Sequence, residues 1–184
     1  MIRRVLAAGL AASLLFGICL FAEESGARFE RPALITSAGQ SADVQIASVL
    51  AKRAGLEAVL SKMAGEGDLE GTQTLILVLG VSLKGLGAAG LDVDKERARV
   101  QDLLRGARER GIPVLCLHLG GEARRGEMSD GLIRDCLPSA AAAIVVRAGN
   151  ADGLFTTLCA ESGIPLVEVD RTPDAVEPLK NAFR

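Results

Sequence analysis

The chain has 184 residues and one histidine, His118, and the loop that follows this residue gathers more reactive side chains than any other segment. The string HLGGEARRGEMSD carries His118, Glu122, Arg124, Arg125 and Asp130. A histidine where an apolar run meets a loop can serve as a general base, a hydrogen-bond donor or a metal ligand, or it can be a satisfied core residue. Two adjacent arginines framed by glycines suit bidentate clamping of a carboxylate or phosphate, and they also suit a solvated surface. His118, Glu122 and Asp130 lack a spacing diagnostic of a metal site, so no metal is expected.

Two further strings offer chemistry. In TSAGQSAD, which holds Ser37, Gln40, Ser41 and Asp43, an apolar run passes through Gly39 into a helix start. Helix amino ends attract anions through free N–H groups and the dipole, whereas Ser41 or Asp43 acting only as a cap needs no ligand. GQS is half of a nucleophile elbow, but Asp43 occupies the place of the second glycine and crowds the turn. The string GLGAAG, Gly85 to Gly90, matches a dinucleotide fingerprint in spacing. That fingerprint also requires an acid at the end of the next strand, and here the next strand ends in His118, Leu119 and two glycines. No cofactor is therefore expected, and Lys84 is left at the entrance of a glycine-rich loop.

The elements that must position these residues alternate. Apolar runs at Leu75 to Val81, Ile112 to Leu117, Ala141 to Val146 and Pro165 to Val169, with a shorter one at Ala33 to Thr36, read as strands buried on both faces. Helical patterns lie between them. One runs from about Ser41 to Ala54. Another places Val93, Val100, Leu103, Leu104 and Ala107 on one stripe, with Asp92 as N-cap and Gly111 as stop. RERGIPVLCL and AESGIPLVEV repeat one helix-to-strand junction. Leu56 to Gly71 is expected to hold at most a short helix and a turn-rich loop. The fold class is α/β: a single three-layer domain with a mostly parallel, roughly five-stranded sheet, Rossmann-like or flavodoxin-like, whose strand order the sequence leaves open. Ligands in such sheets sit beyond the carboxyl ends of the strands, where all the polar loops fall.

At the amino end, MIRR precedes an uncharged run from Val5 to Ala22, the pattern of a secretory signal. Cleavage is expected after Ala22, or as late as Ala27, leaving a short linker over 23–32 and the domain over 33–184. Only an uncleaved signal would hold the chain at a membrane. Ile18 before Cys19 is too bulky for a lipidation site. The formal net charge of −2, with no basic stripe, argues against nucleic acid. Beyond the signal the aromatics are Phe29, Phe155 and Phe183, with no Tyr or Trp, so stacking platforms for sugars or bases are missing. Cys116 lies in an apolar run and is expected to be protected, while Cys136 and Cys159 on helical segments are expected to be reactive or paired.

Together, TSAGQS, KGLGAAGLD, HLGGEARRGEMSD and GNADG resemble a family of exported bacterial proteins known as a domain of unknown function, over about Pro32 to Val169. The resemblance implies a signal peptide plus one α/β domain and brings no activity or catalytic residue. Three readings follow for the loops. The first is an extracytoplasmic binding module for a small polar, anionic solute, neutralised by Lys84, Arg124 and Arg125. The second is an exported hydrolase with His118 as base near Ser41, Glu122 or Asp130, and the third is a scaffold without a ligand. The signal reading predicts that protein recovered from the periplasm or medium has lost residues 1 to 22. Intact mass measures this directly, and a full-length membrane-bound product would count against it.

Overall fold

The computed structural model describes residues 29–183. The signal segment, Cys19 and the expected cleavage points lie outside the described residues. In chain order the elements are β1 (Ala33–Ala38), α1 (Asp43–Arg53), β2 (Ala58–Leu60), β3 (Thr74–Leu79), α2 (Leu83–Ala88), α3 (Val93–Glu109), β4 (Val114–His118), α4 (Glu127–Cys136), β5 (Ala142–Val146), α5 (Leu154–Ser162), β6 (Leu166–Val169) and α6 (Val176–Ala182), with short 3-10 turns between them.

The α/β expectation holds. The sheet is six-stranded and parallel, in the order β2-β1-β3-β4-β5-β6. The additional strand is β2, three residues long, inside the segment read from sequence as loop. It is an edge strand with Val59 exposed, so it lacks the unbroken apolar run that marks a doubly buried strand. The same segment holds a 3-10 turn, Glu66–Leu69.

From β1 the chain steps outward to β2, then crosses back to β3 and proceeds to β6. Because parallel crossovers keep one hand, the reversal puts the helices on opposite faces. One face is covered by α1 and α6, whose Val44, Ala47, Leu50 and Leu179 pack on Ile35, Ile76, Leu115, Leu117 and Ile144. The other is covered by α3, α4 and α5, which bring Val100, Leu103, Ile133 and Phe155 onto Leu34, Leu75, Leu77, Cys116 and Val145. Every residue of β3 is buried, and each such Leu or Ile contributes about 1.5–3 kcal/mol of apolar burial.

Local signals set the element ends. Asp92 caps α3 by accepting the Lys95 N–H at 2.8 Å. Gly111 and Gly163, at φ +68° and +65°, end α3 and α5, and Ile112 and Ile164 donate back to Ala107 and Cys159 at 2.9 and 2.8 Å. This is one Schellman-type closure used twice, and it turns each helix into the next strand. Ahead of β1 the chain is anchored by Phe29. Its ring is fully buried 5.7 Å from that of Phe183, and its N–H donates to Ala182 O. Among the described residues no helix is long and apolar enough to cross a membrane.

The cysteines correct one expectation. Cys136 and Cys159 are as buried as Cys116, and all three are free thiols facing the core under α3, α4 and α5. Burial raises each thiol, Cys136 to about 12, so little reactive thiolate exists near neutral pH. Native protein should therefore resist a thiol reagent at all three positions and react at all three once unfolded. Fast native labelling of any one, read by peptide mapping, would mean that its helix or strand is packed differently.

Candidate functional site at the carboxyl edge of the sheet

The chain reverses direction between β1 and β3, and the crevice above such a reversal is where open α/β sheets hold ligands. Here the crevice is filled by main chain. Gly80 N–H donates to Ala38 O at 3.0 Å and Ser82 N–H to Gly39 O at 2.8 Å, and Gln40 bridges Val81. A Cβ on Gly39 would stand 2.5 Å from Gly80 O, and one on Gly85 would stand 1.9 Å from Gln40 O. Two glycines of the fingerprint-like GLGAAG thus have structural roles. Gly85 lets α2 press on the β1 loop, and Gly90, at φ +70°, follows the end of α2. Lys84 is exposed on α2 and forms no ion pair among the described residues.

Behind this closure lies an ion pair that sequence reasoning missed. Glu96 of α3 is 1% exposed and accepts the Gly39 N–H at 2.8 Å and the Gln40 side-chain amide at 3.1 Å. Arg99 binds both Glu96 oxygens and donates to Ser37 O and to Ala64 O. Burial pushes the Glu96 carboxyl up, but the Arg99, Gly39 and Gln40 hydrogen bonds outweigh it and hold the group below the usual glutamate value. A signal for Glu96 did exist. It occupies the buried stripe of α3 between Val93 and Val100, where an acid is out of place unless it is paired. Gln40, at φ 57°, keeps the left-handed backbone that this arrangement imposes.

The two arginines of the β4 loop have different surroundings. Arg125 is 11% exposed and bound to Asp130 at 2.7 Å, to Asp152 at 2.8 Å and to Gly149 O, with its guanidinium carbon 5.7 Å from the centre of the Phe155 ring. Hydrogen bonds from Arg125 and from the Leu154 N–H lower Asp152 to about 2, and Arg125 likewise lowers Asp130. Arg125 is therefore a tie between the β4 and β5 loops, its charge facing two carboxylates rather than open solvent. Arg124 lies against Gly80, where a Cβ would be 3.3 Å from its own, and its Nε donates to Asp43 Oδ2 at 3.2 Å. Gly120 has no room for a side chain beneath this pair. Asp43 is buried in the first turn of α1, a favourable place for a carboxylate, and Ser41 Oγ accepts the Asp43 N–H at 3.0 Å.

His118 is fully buried. Its Nδ1 lies 3.1 Å from Leu79 O and its Nε2 3.1 Å from Gly121 O, and the ring packs on Phe155 at 5.0 Å. Phe155 belongs to the side covered by α5, and no hydrogen bond joins the ring of His118 to Ser41 among the described residues. Burial lowers the histidine below 6.5 against the pull of both carbonyls, so the ring is neutral at pH 7. Ser37 is buried in β1 with its hydroxyl unpartnered, and Glu122 is exposed. Among the described residues no group of acids, cysteines and histidine is placed to hold a metal ion.

At this edge Arg124 is paired with Asp43, and Arg125 with Asp130 and Asp152, so each arginine faces at least one carboxylate. This balance gives no excess attraction for a multiply charged anion. A cavity of about 470 Å³ opens instead at the amino edge, beside Glu30, Gln73 and Arg110. Its arginine is spent on Glu66 at 3.0 Å, and amino ends of parallel strands are not where such sheets bind ligands, so the carboxyl edge remains the candidate.

A three-layer α/β domain with this edge matches, over residues 30–183, the family described as a domain of unknown function (DUF6305), and the chain belongs to that family. Among solved structures it is similar to AlinE4, an SGNH-hydrolase family esterase, with 14% identity, a TM-score of 0.33, and 82% of this chain and 79% of that chain covered. Two mutants of the same esterase give TM-scores of 0.31 and 0.32 at 15% identity, covering 86% and 83% of this chain and 83% and 80% of theirs. These likenesses assign no residue and no reaction. No curated protein matches the chain in sequence.

The glycines offer a direct test of the closed crevice. Gly85→Ala should cost about 1–3 kcal/mol through the overlap with Gln40. Gly87→Ala, with open space around it on α2, should stabilise by up to about 1 kcal/mol. Equal responses in urea titrations followed by circular dichroism would mean that the two loops do not close in solution.

Proposed function

We propose that the chain works outside the cytoplasm as a binding module for a small polar solute, and that Arg124 meets the solute's anionic group. The observation that carries this reading is the contrast between the neighbouring arginines. Arg125 is consumed by Asp130, Asp152 and Gly149, while Arg124 gives only its Nε to Asp43 and is 31% exposed. Its two terminal nitrogens make no hydrogen bond among the described residues. They are a free fork of the kind that binds a carboxylate bidentately. Asp43 fixes the angle of that fork from below and opens α1, whose amino end favours the same sign of ligand charge. Since Asp43 already offsets the charge of Arg124, a solute with a single carboxylate and other hydrogen-bonding groups fits better than a polyanion.

The test is a melting screen by circular dichroism with small carboxylates, amino acids and inorganic phosphate. Saturation at about 100 times Kd adds roughly 2.7 kcal/mol, a shift of roughly 5 to 10 °C for a domain of this size. Arg124→Ala should abolish the shift. Arg125→Ala should lower the melting temperature of the free protein and leave the shift in place. A shift that survives Arg124→Ala would refute the assignment.

A second reading, an exported hydrolase with His118 as general base, has its own supporting observation. The only histidine of the chain adjoins the same loops and is kept neutral by burial, the form a base requires. For that chemistry the turn at Gly121 must move and free Nε2. Turnover of a carboxylic ester that is lost in His118→Gln, with binding retained, would favour this reading over the first.

A further inference from the structure

We propose that His118 is a proton-operated latch between the end of β3 and the turn Gly121–Arg124. Its two ring nitrogens face two acceptors, Leu79 O and Gly121 O, both at 3.1 Å. A neutral imidazole has one N–H, so it can satisfy one carbonyl and must set a lone pair against the other; only the imidazolium donates to both. The ring cannot turn aside. Phe155 packs on it, and a Cβ on Gly149 would already stand 2.4 Å from its Cδ2. The strain of the neutral state therefore falls on a backbone carbonyl.

The two carbonyls differ in stiffness. Leu79 is the last residue of β3, in register with Ala38 of β1. Gly121 opens a 3-10 turn at φ +57° that lies outside the sheet ladder; it is held by the Arg125 N–H to Glu122 O bond at 3.0 Å, by the Arg124–Asp43 contact and by the packing of Gly121 on Ala148 and Gly149 of the β5 loop. With no strand ladder of its own, the turn is the softer partner. In the neutral state the proton stays on Nδ1 toward Leu79, and Gly121 O moves away from Nε2. In the protonated state both contacts close and the turn is pinned.

The charges around the ring decide where this happens. From the segment after the turn Arg125 opposes protonation, with its own charge offset by Asp130 and Asp152. From α1 Asp43 favours protonation, with Arg124 beside it; Leu79, Gly149 and Phe155 contribute no charge. Burial is the largest influence and sets closure below the ordinary histidine value of 6.5. The sign follows from linkage. As pH falls past 6.5 the unfolded chain takes up the proton first, so stability declines until the folded protein is protonated too. The latch closes in that same window. Because the turn carries Arg124, its position regulates the arginine fork, a consequence that rests on the binding reading above.

His118 is the only histidine, so its ring signals are unambiguous. On the whole protein, long-range ¹⁵N–¹H spectra from about pH 8 to about pH 4 should show Nδ1 protonated throughout and Nε2 gaining its proton below 6.5. The backbone carbonyl ¹³C shift of Gly121 should follow the same midpoint, with that of Leu79 nearly constant. In His118→Gln the Gly121 response should vanish, and the wild-type carbonyl shifts decide the matter if that variant does not fold. A ring that never titrates in this range, or a Gly121 carbonyl indifferent to its titration, overturns the latch. Carboxylate melting shifts test Arg124 independently: a Gly121 response without carboxylate binding upholds the latch, and binding without the response overturns the latch alone.

Discussion

Glu96 and Arg99 meet under the point where the sheet changes direction, and the carboxyl edge depends on how that pair is used. A parallel sheet ends in strand carbonyls and loop amides that lack ladder partners, and burying them unpaired is costly. Glu96 takes the Gly39 N–H and the Gln40 amide, while Arg99 takes the carbonyls of Ser37 and Ala64. A buried ion pair is a weak stabiliser in itself. This one is valuable because each charge also satisfies backbone groups of β1 and of the segment after β2. Removing either partner leaves the other charge uncompensated, a loss on the order of 3–5 kcal/mol.

Once that edge is fixed from below, the loops above it close on one another through glycine. Gly39 meets Gly80, Gly85 meets Gln40, Gly120 lies under Arg124 and Asp43, and Gly149 lies against His118. These contacts account for glycines that in isolation resemble a phosphate cradle. They also sort the charges: the arginine drawn inside the closure becomes a tie between loops, and the one at its rim keeps its terminal nitrogens facing outward.

The same packing gives the edge a movable part. Strand ends are tied into the sheet on both sides, whereas the turn after β4 lies outside the ladder and packs on the β5 loop and on a histidine that cannot satisfy two carbonyls while neutral. Movement in such a domain is expected where backbone contacts are fewest. The same turn carries Arg124, whose terminal nitrogens make no hydrogen bond among the described residues.

Much of the architecture was legible from local pattern. Apolar runs marked five strands, Asp92 marked the start of α3, and the two Gly-Ile-Pro junctions marked where α3 and α5 turn into strands, because burial periodicity and capping act over a few residues. The three-residue edge strand β2 was not legible, since an exposed edge carries no buried run. The site was legible as a set of loops and illegible as a set of partners. His118, Arg124, Arg125, Asp43 and Asp130 were all identifiable as polar residues at strand ends. That Arg125 would be consumed by Asp152 and Asp130, that Arg124 would reach Asp43, and that His118 would stand between the carbonyls of Leu79 and Gly121 were decided only by tertiary structure. Strand order brings together residues 39 and 96, or 43 and 124, and no periodicity in a single sequence encodes which distant groups will neutralise one another. The sequence by itself determined which loops stand at the carboxyl edge, and the packing of the six strands determined which of their charges are paired.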